Sequence, residues 1–249
     1  MRAYRFVEFL GSTVAGAGQA VAQAAHVEFD HSGGLAATGA DTPSERVGHE
    51  LLRQIAREID ASERGDVTFT ARALAPVQPE KRATRSPGGE VGFVFQADLP
   101  GYTHTSGLVG TTVYAPALAA GAGDWDGEDV QARLGDRLEA TPAVYLLLVE
   151  DAGVRVMSGH GVTGITDPVT RTALTDILYA KSLGRFAQEF AEGFLGDPRL
   201  VDSFEYPDRT DDLDGELRDW ATDIDLQGAV LIRESLAPNR EPASLRDFY

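Results

Sequence analysis

Cysteine is absent from these 249 residues, which excludes disulfides, thiolate metal sites and a cysteine nucleophile. Lysine is almost absent too: Lys81 and Lys181 are the only two. No Gly-Lys-Ser or Gly-Lys-Thr occurs, so the chain has no phosphate loop of the Walker type. His104 and His160 have no neighbour at metal-ligand spacing, and Ser158 does not sit in a Gly-x-Ser-x-Gly elbow. No window approaches the ~18 consecutive apolar residues of a membrane span. Residues 1–10 interrupt their apolar run with charge and so lack the core of a signal peptide. The expectation is a soluble, cytoplasmic protein with no membrane partner. No internal repeat is present.

What the chain has in excess is acid. Asp and Glu number 39 against 22 Lys and Arg, a formal net charge of -17. Such an acidic, lysine-poor, arginine-retaining surface keeps a protein hydrated in concentrated salt, where screening weakens its self-repulsion. It also disfavours non-specific nucleic-acid binding, which comes mostly from Lys and Arg neutralising phosphates. A 43 % hydrophobic content at this length allows a proper core, in one large domain or two small ones.

Residues 88–160 carry the clearest pattern. Strands are predicted at 92–99 and 107–115, a helix over 126–139, and a hairpin over 143–158 that turns at 150–153. The runs 93–95, 108–109 and 144–149 are short, bounded by Gly and Pro, and rich in β-branched or aromatic residues, as buried strands are.

Gly89, Glu90 and Val91 head the first of these strands, Gln96 lies within it, and Gly107 to Val113 form the next. Val130, Gln131 and Leu134 lie on the helix, Thr141, Pro142, Ala143, Val144 and Tyr145 follow it, and residues 190–197 end a later helix. In this order they resemble the PD-(D/E)XK restriction-endonuclease-like superfamily. Within it they are similar to microbial proteins with Gly-Ala-Asp heading one strand, Gln-x-Lys on the next, a helix beginning near a Gln, and a Tyr-rich strand. The resemblance covers residues 42–200 and implies an α/β fold, a mixed central sheet flanked by helices. The family's aspartate position falls on Val91, and its Gln-x-Lys falls on Gly110, Thr111 and Thr112. Metal-assisted phosphodiester cleavage needs hard oxygen ligands for the ion and a positive group near the attacking water. Val and Thr supply neither.

The function read from this is a catalytically inactive nuclease-fold protein, serving without a cofactor as a binding or scaffolding subunit. The resemblance implies a restriction or antiviral defence assembly as the setting. One alternative is a nuclease that uses magnesium or manganese held by migrated carboxylates, drawn from Glu45, Glu50, Glu90 and Asp98. Another is a structural or assembly protein with no nucleic-acid role. Glu90 and Asp98 stand at opposite ends of one strand, ~26 Å apart, too far to share an ion. The expected partner is another protein or a second copy in a homodimer. Nucleic acid is a further candidate through Lys81, Arg82 and Arg85 in the loop 78–89, which as a plain loop is only solvated surface. An enzyme needs carboxylates converging within one ion's reach; a scaffold needs a large apolar or self-complementary patch.

The flanks complete the reading. Residues 1–41 are expected as an N-terminal β arm, with strands at 4–10 and 26–30 and a Gly- and Ala-rich segment between them that reads equally as helix or loop. Thr42, Pro43 and Glu45 have capping-box spacing, and Val47, Leu51, Ile55 and Ile59 then form one apolar stripe, with His49 and Glu50 on a solvated face. Residues 67–74 alternate as a half-buried strand. His104 falls in a loop at 100–106. A long helix is predicted over 170–194, carrying Phe186, Phe190 and Phe194 inward. Residues 201–249 read as an acidic extension: an amphipathic helix within 208–225, an edge strand at 230–232 and an extended tail from 238.

Overall fold

The computed structural model describes residues 3–32, 42–60, 62–64, 67–74, 89–99, 102–120, 127–164, 180–202 and 213–236. The N-terminal β arm expected from the sequence is a single helix, α1 (Ala3–Ser32). Over a long window the apolar residues Leu10, Val14, Ala17, Val21 and Ala25 recur every three or four positions, and all of them are buried in one core. Short windows at either end looked like strands because they held too few turns to show that period. Gly11 is where α1 crosses a later helix, α6 (Leu183–Ala191): a Cβ at Gly184 would lie 2.6 Å from the Gly11 carbonyl oxygen. Each glycine in a helix interior costs about 1 kcal/mol against alanine. Here they let two backbones meet.

Helix α2 (Pro43–Ile59) starts where its capping chemistry puts it. The Thr42 hydroxyl accepts from the Glu45 N–H at 3.2 Å, the Glu45 carboxylate accepts from the Thr42 N–H at 2.6 Å, and Pro43 occupies the first turn, where no amide donor is needed. Leu51, Leu52, Ile55 and Ile59 are fully buried. His49, expected on the surface, is buried as well, because its side of α2 faces the sheet and not solvent.

The chain then builds β1 (Ser62–Arg64), β2 (Val67–Leu74), β3 (Gly89–Leu99), β4 (Tyr102–Tyr114), α3 (Ala115–Ala120), α4 (Gly127–Ala140), β5 (Val144–Glu150), β6 (Gly153–Ser158) and α5 (Gly159–Thr163). After these come β7 (Lys181–Ser182), α6 (Leu183–Ala191), a 3-10 turn (Pro198–Val201), α7 (Leu213–Asp223) and β8 (Gly228–Leu236). The eight strands form one mixed sheet in the order β1-β2-β8-β3-β4-β5-β6-β7. Strand β8, expected at an edge, is interior. It runs antiparallel to β2, with Phe69 opposite Glu234, and parallel to β3, with Phe93 beside Val230.

Alternation along the strands sends side chains to two helical layers. Val91, Phe93, Phe95, Ala97, Val230 and Ile232 face α1, α2 and α6. Val94, Val109, Ala229 and Leu231 face α7, with Trp220 at its centre, while Val113, Leu146 and Leu148 face Val130 and Leu134 of α4. The α/β class and the burial of Phe93, Phe95, Leu108, Val144, Leu146 and Leu148 in one mixed sheet are as expected.

Three further readings are corrected. His104 lies within β4, because β3 and β4 form one long hairpin whose ladder runs from Gly89↔Thr112 out to Leu99↔Tyr102. The helix expected to reach residue 194 ends at Ala191, with Gly193 at φ 77°, and Phe194 is 76 % exposed. The part of that expectation over 170–179 lies outside the described residues, as does the tail from 238. The expected divisions at 41/42 and 200/201 separate no cores either: α1 and β8 share one cluster with α2.

Candidate functional site

Glu90, the residue beside the position where the sequence resemblance puts an aspartate, is the second residue of β3 and has no exposed side-chain surface. Its alternation turns it toward α4, away from α2. Arg133 and Arg137 stand one helical turn apart on α4, so both guanidinium groups reach the same point. Arg133 grips the carboxylate as a fork, Nε to Oε1 and Nη2 to Oε2, each at 2.6 Å. Arg137 adds Nε to Oε1 at 3.3 Å and a short contact from Nη2 to Oε2. Burial works to lower the Arg133 pKa, and the hydrogen bonds and charge of Glu90, with Asp225 and Asp136 behind them, more than reverse it.

The rest of the cluster ties distant elements together. Gln227 donates its N–H to the Glu90 carbonyl at 2.9 Å, and its side-chain oxygen accepts from the Glu90 N–H at 3.0 Å. The Gln227 amide in turn donates to Glu45 of α2, whose other oxygen caps Thr42. Arg137 also donates to the carbonyls of Ile224 and Asp225 at 2.6 and 2.7 Å, where α7 ends and Asp225 turns the chain at φ 52°. These are carbonyls that a helix C-terminus leaves without partners, and a cation there is favourable. The Glu90 carboxylate thereby joins the head of β3 to the face of α4 and, through Arg137, to the corner between α7 and β8, while Gln227 ties the Glu90 backbone to the start of α2.

This chemistry differs from that of a metal site. Both carboxylate oxygens of Glu90 are already taken by guanidinium donors, and a divalent ion approaching them would meet two positive charges first. Val91 is buried in the apolar core, and Thr112 packs against α2, where a Cβ on Gly48 would meet its hydroxyl at 3.1 Å. Glu50 lies on the outer side of α2, 3.8 Å from Arg53. Asp98 is at the far end of β3, in register with Thr103 and Ser235. Glu50, Glu90 and Asp98 are therefore on different faces or ends and are not brought together. Among the described residues, no group of three or more His, Asp or Glu could hold a metal ion. Lys81, Arg82 and Arg85 lie outside the described residues.

A second polar node is Asp197. It caps the 3-10 turn and accepts from the Arg199 side chain at 3.0 and 2.8 Å, from the Arg199 N–H at 3.0 Å and from the Thr141 hydroxyl at 3.0 Å. The Arg199 hydrogen bonds come first in holding its carboxyl down at about 2, against burial, which acts the other way. Its backbone pairs with Gly107, so it pins the turn to β4. Arg133, Arg137, Gln227 and Asp197 were not foreseen. The one signal available was the i, i+4 spacing of the two arginines, which marks a shared face without naming the acid it meets.

The outer side of α1 is the other feature of note. Residues 9–27 contain no Asp, Glu, Lys or Arg, in a chain of net charge -17. Ala15, Gly16, Gln19, Ala20, Gln23 and Ala24 lie exposed along that side. No described helix is long and apolar enough to cross a membrane. The chain matches no protein-family model, no curated protein and no solved structure with which it was compared.

Proposed function

We propose that this protein is a non-catalytic, restriction-endonuclease-like α/β subunit that works by binding and scaffolding. A restriction or antiviral defence assembly is the setting that the resemblance implies. The observation that carries this reading is the state of Glu90. The carboxylate nearest the family's metal position is bonded to Arg133 and Arg137 and closes a structural junction. The partner is a second copy of the chain or another acidic protein that meets the uncharged side of α1. Elsewhere like charges keep copies apart, and this side has none to desolvate or repel.

The reading is tested in two assays. Purified protein with magnesium or manganese in ~1 M salt is expected to leave DNA and RNA uncut; cleavage lost in Glu50→Ala or Asp98→Ala would overturn the non-catalytic reading. Light scattering is expected to show association that tightens toward 1 M salt, where the screening length falls to ~3 Å. Ala20→Glu, which sets a charge in the proposed contact, is expected to keep the chain monomeric. A wild-type monomer at every salt concentration, with nucleic-acid binding that weakens steeply with salt, would instead favour a nucleic-acid binder.

A further inference from the structure

Strands β2 and β8 carry a basic, hydroxyl-rich patch on the face away from α1 and α2. The inward residues Val67, Phe69 and Ala71 alternate with Thr68, Thr70 and Arg72, and Val230 and Ile232 alternate with Leu231 and Arg233. The antiparallel register sets Thr68 opposite Ser235, Thr70 opposite Arg233 and Arg72 opposite Leu231. Helix α7 covers the Leu231 end of this face through Leu213. Beyond it lies a pocket of about 210 Å³ lined by Thr70, Arg72, Leu213, Leu231, Arg233 and Ser235.

Arg72 is committed to Asp60 at 2.8 Å and to its neighbour's carbonyl. Arg233 is different. Among the described residues its buried Nε has no hydrogen-bond partner, and neither has the Thr68 hydroxyl beside it. A buried donor left unmade costs about 1–3 kcal/mol, so such a group usually has a partner. Among the described residues no carboxylate lines the pocket, although the chain has 39 acidic residues. The first turn of α7 holds Asp214 and Glu216, neither of which is in the lining. A guanidinium offers only donors, and the Thr70 and Ser235 hydroxyls can donate as well.

We propose that this pocket binds a phosphate group, held by the fork of Arg233 and by the hydroxyls of Thr70 and Ser235, with Leu213 and Leu231 walling one side. A planar fork matches a tetrahedral oxyanion better than a point charge would. Long-range attraction plays no part, because a chain at -17 repels anions; the binding comes from preformed short-range donors. The proposal stands apart from the association of α1, which lies on the opposite layer.

The test is calorimetric titration of the full chain in molar potassium chloride at constant ionic strength. One arm uses inorganic phosphate and the other a small phosphate monoester, glycerol 1-phosphate. Saturable 1:1 binding is expected, weakened about tenfold or more in Arg233→Ala and partly in Thr70→Val. Arg233→Lys keeps the charge without the fork and should fall between wild type and Arg233→Ala. If Arg233→Ala fails to fold by circular dichroism, the Arg233→Lys and Thr70→Val variants carry the comparison. Tighter binding of the monoester identifies an organic phosphate as the occupant; equal binding identifies free phosphate. No saturable binding of either probe to the wild type, or equal binding in the Arg233 and Thr70 variants, overturns the proposal.

Discussion

Replacing Glu234 by glutamine should make this protein more stable at neutral pH and remove a defined part of its pH dependence. Glu234 follows Val230 and Ile232 on the core side of β8, between Phe69 of β2 and Ala97 of β3, and has 8 % of its surface exposed. No hydrogen bond or ion pair to its carboxyl is formed among the described residues. Burial pushes that carboxyl from 4.5 up to about 7. At about 1.4 kcal/mol per pH unit, ionising it inside the fold carries a penalty of ~3 kcal/mol. Because the folded-state value is the higher one, the proton stabilises the fold. This contribution is fully present below about pH 4.5 and is lost as the pH rises through about 7. Urea denaturation at fixed molar salt, from pH 4 to 8, should show the wild type losing ~3 kcal/mol relative to Glu234→Gln across that window. The histidines and the other carboxylates titrate equally in both proteins, so the difference isolates Glu234. A difference that stays flat with pH, or that changes only below pH 4, would refute the reasoning.

Three other outcomes follow from the packing. Glu90→Ala leaves Arg133 and Arg137 facing each other with little solvent, and should cost about 3–5 kcal/mol by chemical denaturation; a loss below ~1 kcal/mol would show that water or movement of the arginines replaces the carboxylate. Asp197 has its carboxyl held at about 2, so its contribution is present above 3.8 and is lost as the pH falls toward 2; an acid-unfolding profile of Asp197→Asn should lack that segment. Gly184→Val would drive a side chain into the Gly11 backbone, where even a Cβ would sit 2.6 Å from the carbonyl oxygen. It should lower stability by about 1–3 kcal/mol through separation of α1 from α6, while Gly16→Ala, with open space around it, should be neutral or stabilising.

The sequence by itself determined the local elements whose signals are contained in a few turns or a few alternations. Thr42, Pro43 and Glu45 start α2 because their capping bonds form within four residues. The strands around Phe93, Leu108 and Leu146 and the hairpin at 150–153 follow from runs of apolar residues bounded by Gly and Pro. The α/β class followed from their order. Tertiary structure alone decided what depends on distant chain segments. The β8 strand is interior because residues 91–98 and 228–235 pair across more than 130 positions, and a run of three apolar residues carries no record of that partner. Helix α1 needed the surface of α6 to make Gly11 and Gly18 favourable. The site followed the same division. Glu90 was identifiable as a candidate only because it adjoins the position where the resemblance puts an aspartate, and its role rests on which of 22 basic residues reach it. A carboxylate reads the same in sequence whether it holds a metal ion or an arginine; the difference lies in what the fold places within 3 Å of its oxygens, and here that is Arg133 and Arg137.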